Sequence, residues 1–184
     1  MPRLNDSIPA LDLVELSDNS PPELLTQARQ LLLEYGQFVI GQPAAAQFCY
    51  GALEKEAAGL PQSFQEQGGG ALVGLLKGVP AGFVAWRLAP GHLAETSWEL
   101  KRLWVRPEGR GAGLGQALTR AVLERAAAAG RKALYLDTVP SAMSSAHRLY
   151  LAMGFVPCGA YGDNPIEEVE YLVKFLWNPV NQAG

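Results

Sequence analysis

Apolar residues follow two different periods along the chain, and the change from one to the other falls at Ala71. Before it, a short strand is predicted around Leu11 to Leu16. The segment "SDNSPPE" then offers a cap and prolines for a helix start, and "LLTQARQLLLEYG" continues with helical apolar spacing. This predicts a first helix ending near Gly36. A second, "AAAQFCYGALEKEAAG", is expected after Pro43 and before Pro61, and "QEQGGG" breaks the pattern. The two helices read as a pair.

From Ala71 the pattern becomes that of strands. "ALVGLLKGVPAGFVAWRL" predicts two apolar strands joined at "KGVP", and after "APGH" a third strand, "TSWELKRLWV", completes an antiparallel meander. "LGQALTRAVLERAAAAG" returns to helical spacing, with Leu114, Ala117, Leu118, Ala121 and Val122 on one face. A strand "ALYLDTV", a helix "AMSSAHRLYLAMG" and two strand candidates around "FVPCG" and "VEYLVKFL" follow. No internal repeat interrupts this order.

Composition narrows the classes. With 184 residues, 48% of them hydrophobic, the chain can build one well-filled core, so residues 1–184 are expected to form a single domain. Fifteen basic against 18 acidic residues give a net charge of −3, which offers no excess of positive charge for a nucleic-acid backbone. Cys49 and Cys158 form no CxxC pair, and with two histidines they give no metal-ligand spacing; both are expected to be buried thiols. No apolar run approaches the roughly 18 residues of a membrane span, and the N-terminus lacks the core of a signal peptide. A cytoplasmic protein without a membrane or nucleic-acid partner is expected.

The segment "VRPEGRGAGLGQAL" places four glycines just before a helix whose first turn has no acidic residue. Glycine lets a backbone approach another group closely, and a helix N-terminus carries unpaired N–H groups and partial positive charge. Together they point to a bound anion, against the plainer reading of a tight connection into a packed helix. A dinucleotide-binding GxGxxG would need glycine where Gln116 stands, and the GK[ST] ending of a P-loop is absent.

These residues resemble the GNAT superfamily of acetyl-CoA-dependent N-acetyltransferases. Its pyrophosphate loop, [QR]-x-x-G-x-[GA], is matched by Arg110, Gly113 and Gly115, and "AHRLYLAMGF" is similar to its A-x-x-L-Y-x-x-x-G-F segment. The resemblance covers residues 70 to 177, including the order of elements. It implies an α/β fold: a mixed, mainly antiparallel sheet, helices on both faces and a splayed central strand pair. It further implies that backbone N–H groups of Arg110, Gly111, Ala112, Gly113, Leu114 and Gly115 hold the pyrophosphate of coenzyme A. The pantetheine arm would pair with the strand at Leu103 and Val105. Many members have an asparagine where Met143 stands here, and Ser144 or Ser145 would substitute for it as donor.

Acyl transfer to an amine needs a neutral nitrogen, donors for the developing oxyanion and an acid for the departing thiolate. Tyr150 occupies the family's tyrosine position and is the candidate acid; the alternative is a core tyrosine. Glu99 has the offset from Arg110 of the catalytic glutamate in the histone-acetylating branch and is the candidate base, against a plain ion pair with a neighbouring lysine. Strand alternation would place it on the side of Lys101 and Leu103, opposite Trp98 and Arg102. His147 shares a helix face with Tyr150 and is otherwise an exposed helix histidine; Asp137 ends the strand "LYLD", where it would cap a loop or lie near the acceptor. Cys158 gives no sign of a covalent acetyl-cysteine step.

The implied activity is acetyl transfer from acetyl-CoA, as cosubstrate and without a metal, to a primary amine by direct attack. The acceptor is expected to be a small molecule, with a protein amino group as the other choice, and a homodimer stays open. A coenzyme-binding sensor without catalysis is the alternative function. Asp163, Glu167, Glu168 and Glu170 in "AYGDNPIEEVEY" would draw a cationic acceptor, unless they form a solvated turn.

Overall fold

The fold was analysed in a computed structural model, which describes residues 10–45 and 50–176. Seven strands form one sheet: β1 (Leu11–Glu15), β2 (Gly70–Leu76), β3 (Val79–Leu88), β4 (Ser97–Val105), β5 (Ala133–Thr138), β6 (Val156–Pro157) and β7 (Glu170–Phe175). Their order is β1-β2-β3-β4-β5-β7-β6, and only β4 and β5 are parallel. The helices are α1 (Pro22–Ile40), α2 (Tyr50–Ala58), α3 (Gln62–Gln65), α4 (Leu114–Ala128) and α5 (Ser144–Ala152). This is the mixed, mainly antiparallel α/β arrangement expected from the sequence.

Alternation along the strands divides the interior into two cores. On one face Val73, Phe83 and Ala85 pack with Leu31, Leu32 and Tyr35 of α1, Leu53 of α2 and Phe64 of α3. On the other, Leu72, Val84, Leu134 and Leu136 pack with Leu114, Leu118 and Val122 of α4 and Tyr150 of α5.

The expected elements are present with shifted ends. Helix α1 runs past Gly36 to Ile40, because Gly36 is no stop: a Cβ there would lie 2.8 Å from both Leu53 Cδ2 and Tyr50 Cε2, so its lack of a side chain lets α2 pack closely. The second expected helix is described in two pieces, a 3-10 turn at Pro43–Ala45 and α2 from Tyr50; Cys49 lies outside the described residues. The turn between β2 and β3 uses Lys77 and Gly78, both at positive φ, while Val79 and Pro80 already belong to β3.

Two irregularities in β4 shape the middle of the sheet. Toward β3, Lys101 faces Ala85 and Trp104 faces Phe83, so Arg102 and Leu103 together oppose the single residue Val84. This is a β-bulge, and Arg102 sits in it at φ 60°. The extra residue reverses the alternation: Leu103 packs in the core of Trp98 and Leu100, not on the Glu99 and Lys101 side. Arg102 turns to the α1–α2 side, where its guanidinium binds both Glu56 oxygens at 2.9 and 3.0 Å and lies 5.8 Å from the Tyr35 ring centre. Toward β5, pairing runs only from Ser97↔Ala133 to Glu99↔Tyr135; beyond Glu99 the two strands part.

The start of α4 is set down on the sheet by two glycines that face each other across β2 and β3, Gly74 and Gly82. A Cβ on Gly74 would lie 2.6 Å from Leu114 Cδ1, and one on Gly82 would lie 2.9 Å from Leu118 Cδ1. Gly74→Val is therefore expected to push Leu114 off the sheet and to cost about 1–3 kcal/mol of stability, as overpacking does. Urea unfolding of both proteins measures this, and unchanged stability would mean that α4 is not seated by that contact.

Candidate active site

The opening between β4 and β5 leads to two neighbouring cavities. The larger, about 520 Å³, is a cleft between the outer half of β4, the glycine loop and the start of α5. Leu103, Val105, Arg110, Gly111, Gly113, Leu114, Gly115 and Ser145, all expected as coenzyme contacts, line it. Ala112 shares the turn but is not among the lining residues. Phe38, Met143 and Ser144 are also among its walls.

At the floor of the cleft α4 begins with Gly113 at φ 81° and ψ 4°, with no side-chain cap and no acidic residue in its first turn. Gly111 has φ 79°. A left-handed backbone at both positions turns the loop so that the first N–H groups of α4 face the cleft, and no atoms lie within 4 Å of where either Cβ would be. Arg110 bends back over β4, its Nε donating to Val105 O at 3.2 Å and its guanidinium 5.3 Å from the Trp104 ring centre. The fit to coenzyme A is good on these observations: open space over unpaired helix N–H groups suits a diphosphate, and the unpaired edge of β4 suits an amide-bearing arm.

The smaller cavity, about 90 Å³, fills the gap itself. It shares Leu103, Ala142 and Met143 with the cleft and is further lined by Tyr150, Lys101, Arg102, Asp137, Thr138 and Asn164. Tyr150 is 5% exposed and stacks edge-on to Phe155, with ring centres 5.6 Å apart. Burial pushes its phenol well above the usual range, with Tyr35 and Asp137 adding to the effect, so it stays protonated at neutral pH.

Glu99 lines neither cavity. It is 3% exposed and accepts hydrogen bonds from Arg87 Nε at 2.8 Å, Tyr161 Oη at 3.1 Å and Lys101 Nζ at 3.5 Å. Lys101 also binds Asp137 Oδ1 at 3.0 Å, and Asn164 Nδ2 donates to Asp137 Oδ2 at 2.7 Å. The network thus runs Arg87–Glu99–Lys101–Asp137–Asn164 across the mouth of the gap. Burial alone would raise the Asp137 carboxyl, but the Lys101 charge, the bonds from Asn164 and Lys101 and the Arg102 charge outweigh it and hold it below its ordinary range.

Other candidates lie apart from the gap. His147 pairs through Nε2 with Glu170 at 2.8 Å. Asp163, Glu167, Glu168 and Glu170 are all exposed, with Glu168 bound to the Ser141 hydroxyl. Cys158 is half-buried, and burial pushes its thiol up. Among the described residues no group of three His, Cys, Asp or Glu side chains could hold a metal, and no helix is long and apolar enough to cross a membrane. The roles of Asn164 and Tyr161 escaped sequence reasoning because both stand in an irregular loop, where no periodicity says which way a side chain turns.

The sheet thus parts beside a glycine-rich helix start, with Tyr150 lining the gap. The acetyltransferase (GNAT) family model matches residues 28–155, over two thirds of the chain, and the chain belongs to that family. An uncharacterized N-acetyltransferase of Schizosaccharomyces pombe is 38% identical over 74 residues, covering 40% of this chain and 45% of that protein. The chain spans less than half the length of the curated relatives it matches. In fold it is similar to a GNAT acetyltransferase from Staphylococcus aureus, with TM-score 0.70, 13% identity and coverage of 91% of this chain and 100% of that one. It is also similar to an acetyltransferase from Salmonella typhimurium solved with its cofactor acetyl-CoA, with TM-score 0.64, 17% identity and coverage of 95% and 97%.

Gly113→Val would force a branched residue into a left-handed conformation and fill the open space over the α4 N-terminus. Calorimetric titration with acetyl-CoA is expected to show binding at least about tenfold weaker, the loss of roughly one charge-assisted hydrogen bond. Equal affinity with the fold intact would move the anion site away from this loop.

Proposed function

We propose that this chain acts as a single-domain, cytoplasmic N-acetyltransferase that moves an acetyl group from acetyl-CoA to the primary amine of a small molecule by direct attack. One observation carries the reading: the cleft with the glycine loop and the cavity with Tyr150 meet at Leu103, Ala142 and Met143, in the gap between β4 and β5. A coenzyme arm entering from one side and an amine from the other would meet there.

Bound acetyl-CoA supplies the activated thioester. Arg110, Gly111, Ala112, Gly113, Leu114 and Gly115 hold its diphosphate through backbone N–H groups, and Ser145 adds a hydroxyl at the start of α5. Leu103 and Val105 offer backbone N–H and C=O groups on the unpaired edge of β4 to the arm. Tyr150 keeps its proton until the sulfur needs it. Of an ammonium acceptor's three protons, one stays on the nitrogen as the C–N bond replaces the C–S bond, one goes to the sulfur by way of Tyr150, and one leaves to solvent. The proton that leaves to solvent does so by way of Lys101 and Glu99, with Lys101 hydrogen-bonding both Glu99 and Asp137.

Tyr150→Phe removes only a hydroxyl and is expected to leave acetyl-CoA binding unchanged while lowering turnover by about 10²- to 10⁴-fold, the range for lost general acid catalysis. Thiol release measures it, and an unchanged rate would return Tyr150 to the core. Glu99→Gln is expected to depress kcat/KM most near neutral pH and less at higher pH, where solution already supplies neutral amine. Profiles of mutant and parent that run parallel across pH would reduce Glu99 to an ion-pair partner of Arg87 and Lys101.

A further inference from the structure

The gap cavity has a size and a charge pattern that select among amines. About 90 Å³ holds roughly half a dozen waters, or a solute with a similar number of heavy atoms. Six charged groups surround it: Arg87, Lys101 and Arg102 against Glu56, Glu99 and Asp137. They are not evenly placed. Glu56 and Glu99 stand behind the wall, on Arg102 and on Arg87 and Lys101, whereas Lys101, Arg102 and Asp137 line the cavity. Lys101 and Arg102 are each already held by a carboxylate, so a molecule inside meets balanced ion pairs rather than bare cations.

Two charged groups on the wall, Asp137 and Lys101, keep hydrogen-bonding capacity for an occupant. The Asp137 carboxylate has about four lone-pair directions and uses one oxygen for Lys101 and the other for Asn164, which leaves acceptor capacity for an ammonium. Lys101 Nζ has three N–H donors and uses two, on Glu99 and Asp137, which leaves one for a carboxylate.

Resting on the acetyltransferase reading above, we propose that the acceptor is a small amino acid, seated as a zwitterion between β4 and β5, its ammonium on Asp137 and its carboxylate toward Lys101 and Arg102. A simple cationic amine, or the side chain of a protein lysine, would satisfy Asp137 but leave the third N–H of Lys101 without an acceptor. A large polyamine would exceed the space. The zwitterion matches both signs and leaves the ion pairs behind the wall intact.

The test is calorimetric titration of the full chain, saturated with coenzyme A, with each genetically encoded amino acid. Any that binds is then compared with the amine lacking its carboxylate, such as ethylamine for alanine. At least one small amino acid is expected to bind, and loss of the carboxylate is expected to weaken it at least about tenfold, as removing one partner of a buried charged pair does. Asp137→Asn should weaken that amino acid by a similar factor, with coenzyme A affinity unchanged as the control for folding. Binding of no amino acid, or equal binding of the decarboxylated amine, would overturn the assignment. Thiol release from acetyl-CoA separates the two readings. An amino acid that binds without thiol release would leave this site standing and sink the acetyltransferase reading. Turnover of amines with no amino acid binding would do the reverse.

Discussion

Everything at the centre of this protein follows from the parting of β4 from β5 after Glu99. Buried backbone N–H and C=O groups are almost always paired, and a parallel pair in mid-sheet normally stays paired along its length. Here pairing stops after three residues, and the bulge at Arg102 and Leu103 turns the rest of β4 away. A non-glycine residue at φ 60° costs about 1–2 kcal/mol, and the bidentate Arg102–Glu56 bond offsets it by tying the bulge to α2. The α1–α2 pair is thereby joined to the site: it anchors the residue that holds the sheet open.

The two faces of the sheet divide the work. On the α4–α5 side the surroundings are apolar, so the cleft keeps its shape through Leu114 and Leu118 seated on Gly74 and Gly82, and Tyr150 keeps its proton through burial. On the α1–α2 side the charges gather, from Arg87 through Glu99 and Lys101 to Asp137. Low local polarity strengthens such a network and makes a missing partner costly. The gap is where the two environments meet.

Most of the elements could be read from hydrophobic spacing, because β2, β3 and α4 bury nearly every apolar position that the pattern marked. The glycine loop could be read too, since its chemistry is local: left-handed glycines followed by a helix start are a property of consecutive residues. The bulge could not, because the sequence "ELKRLWV" carries no glycine to mark it and Arg102 adopts the left-handed conformation through a partner 46 residues away. Strand alternation therefore misplaced Leu103. Asp137 was visible as a polar residue ending a strand, but its place on the cavity depends on how far apart β4 and β5 stand, which no single segment encodes.

Amide hydrogen exchange, read residue by residue with and without acetyl-CoA, bears most directly on whether the opened strand and the glycine loop form one binding site. Amides at Leu103 to Val105 and at Gly111 to Gly115 should exchange more slowly together when acetyl-CoA is added, while amides of β1 and β2 stay unchanged. Protection elsewhere, or at the loop without the strand, would contradict it.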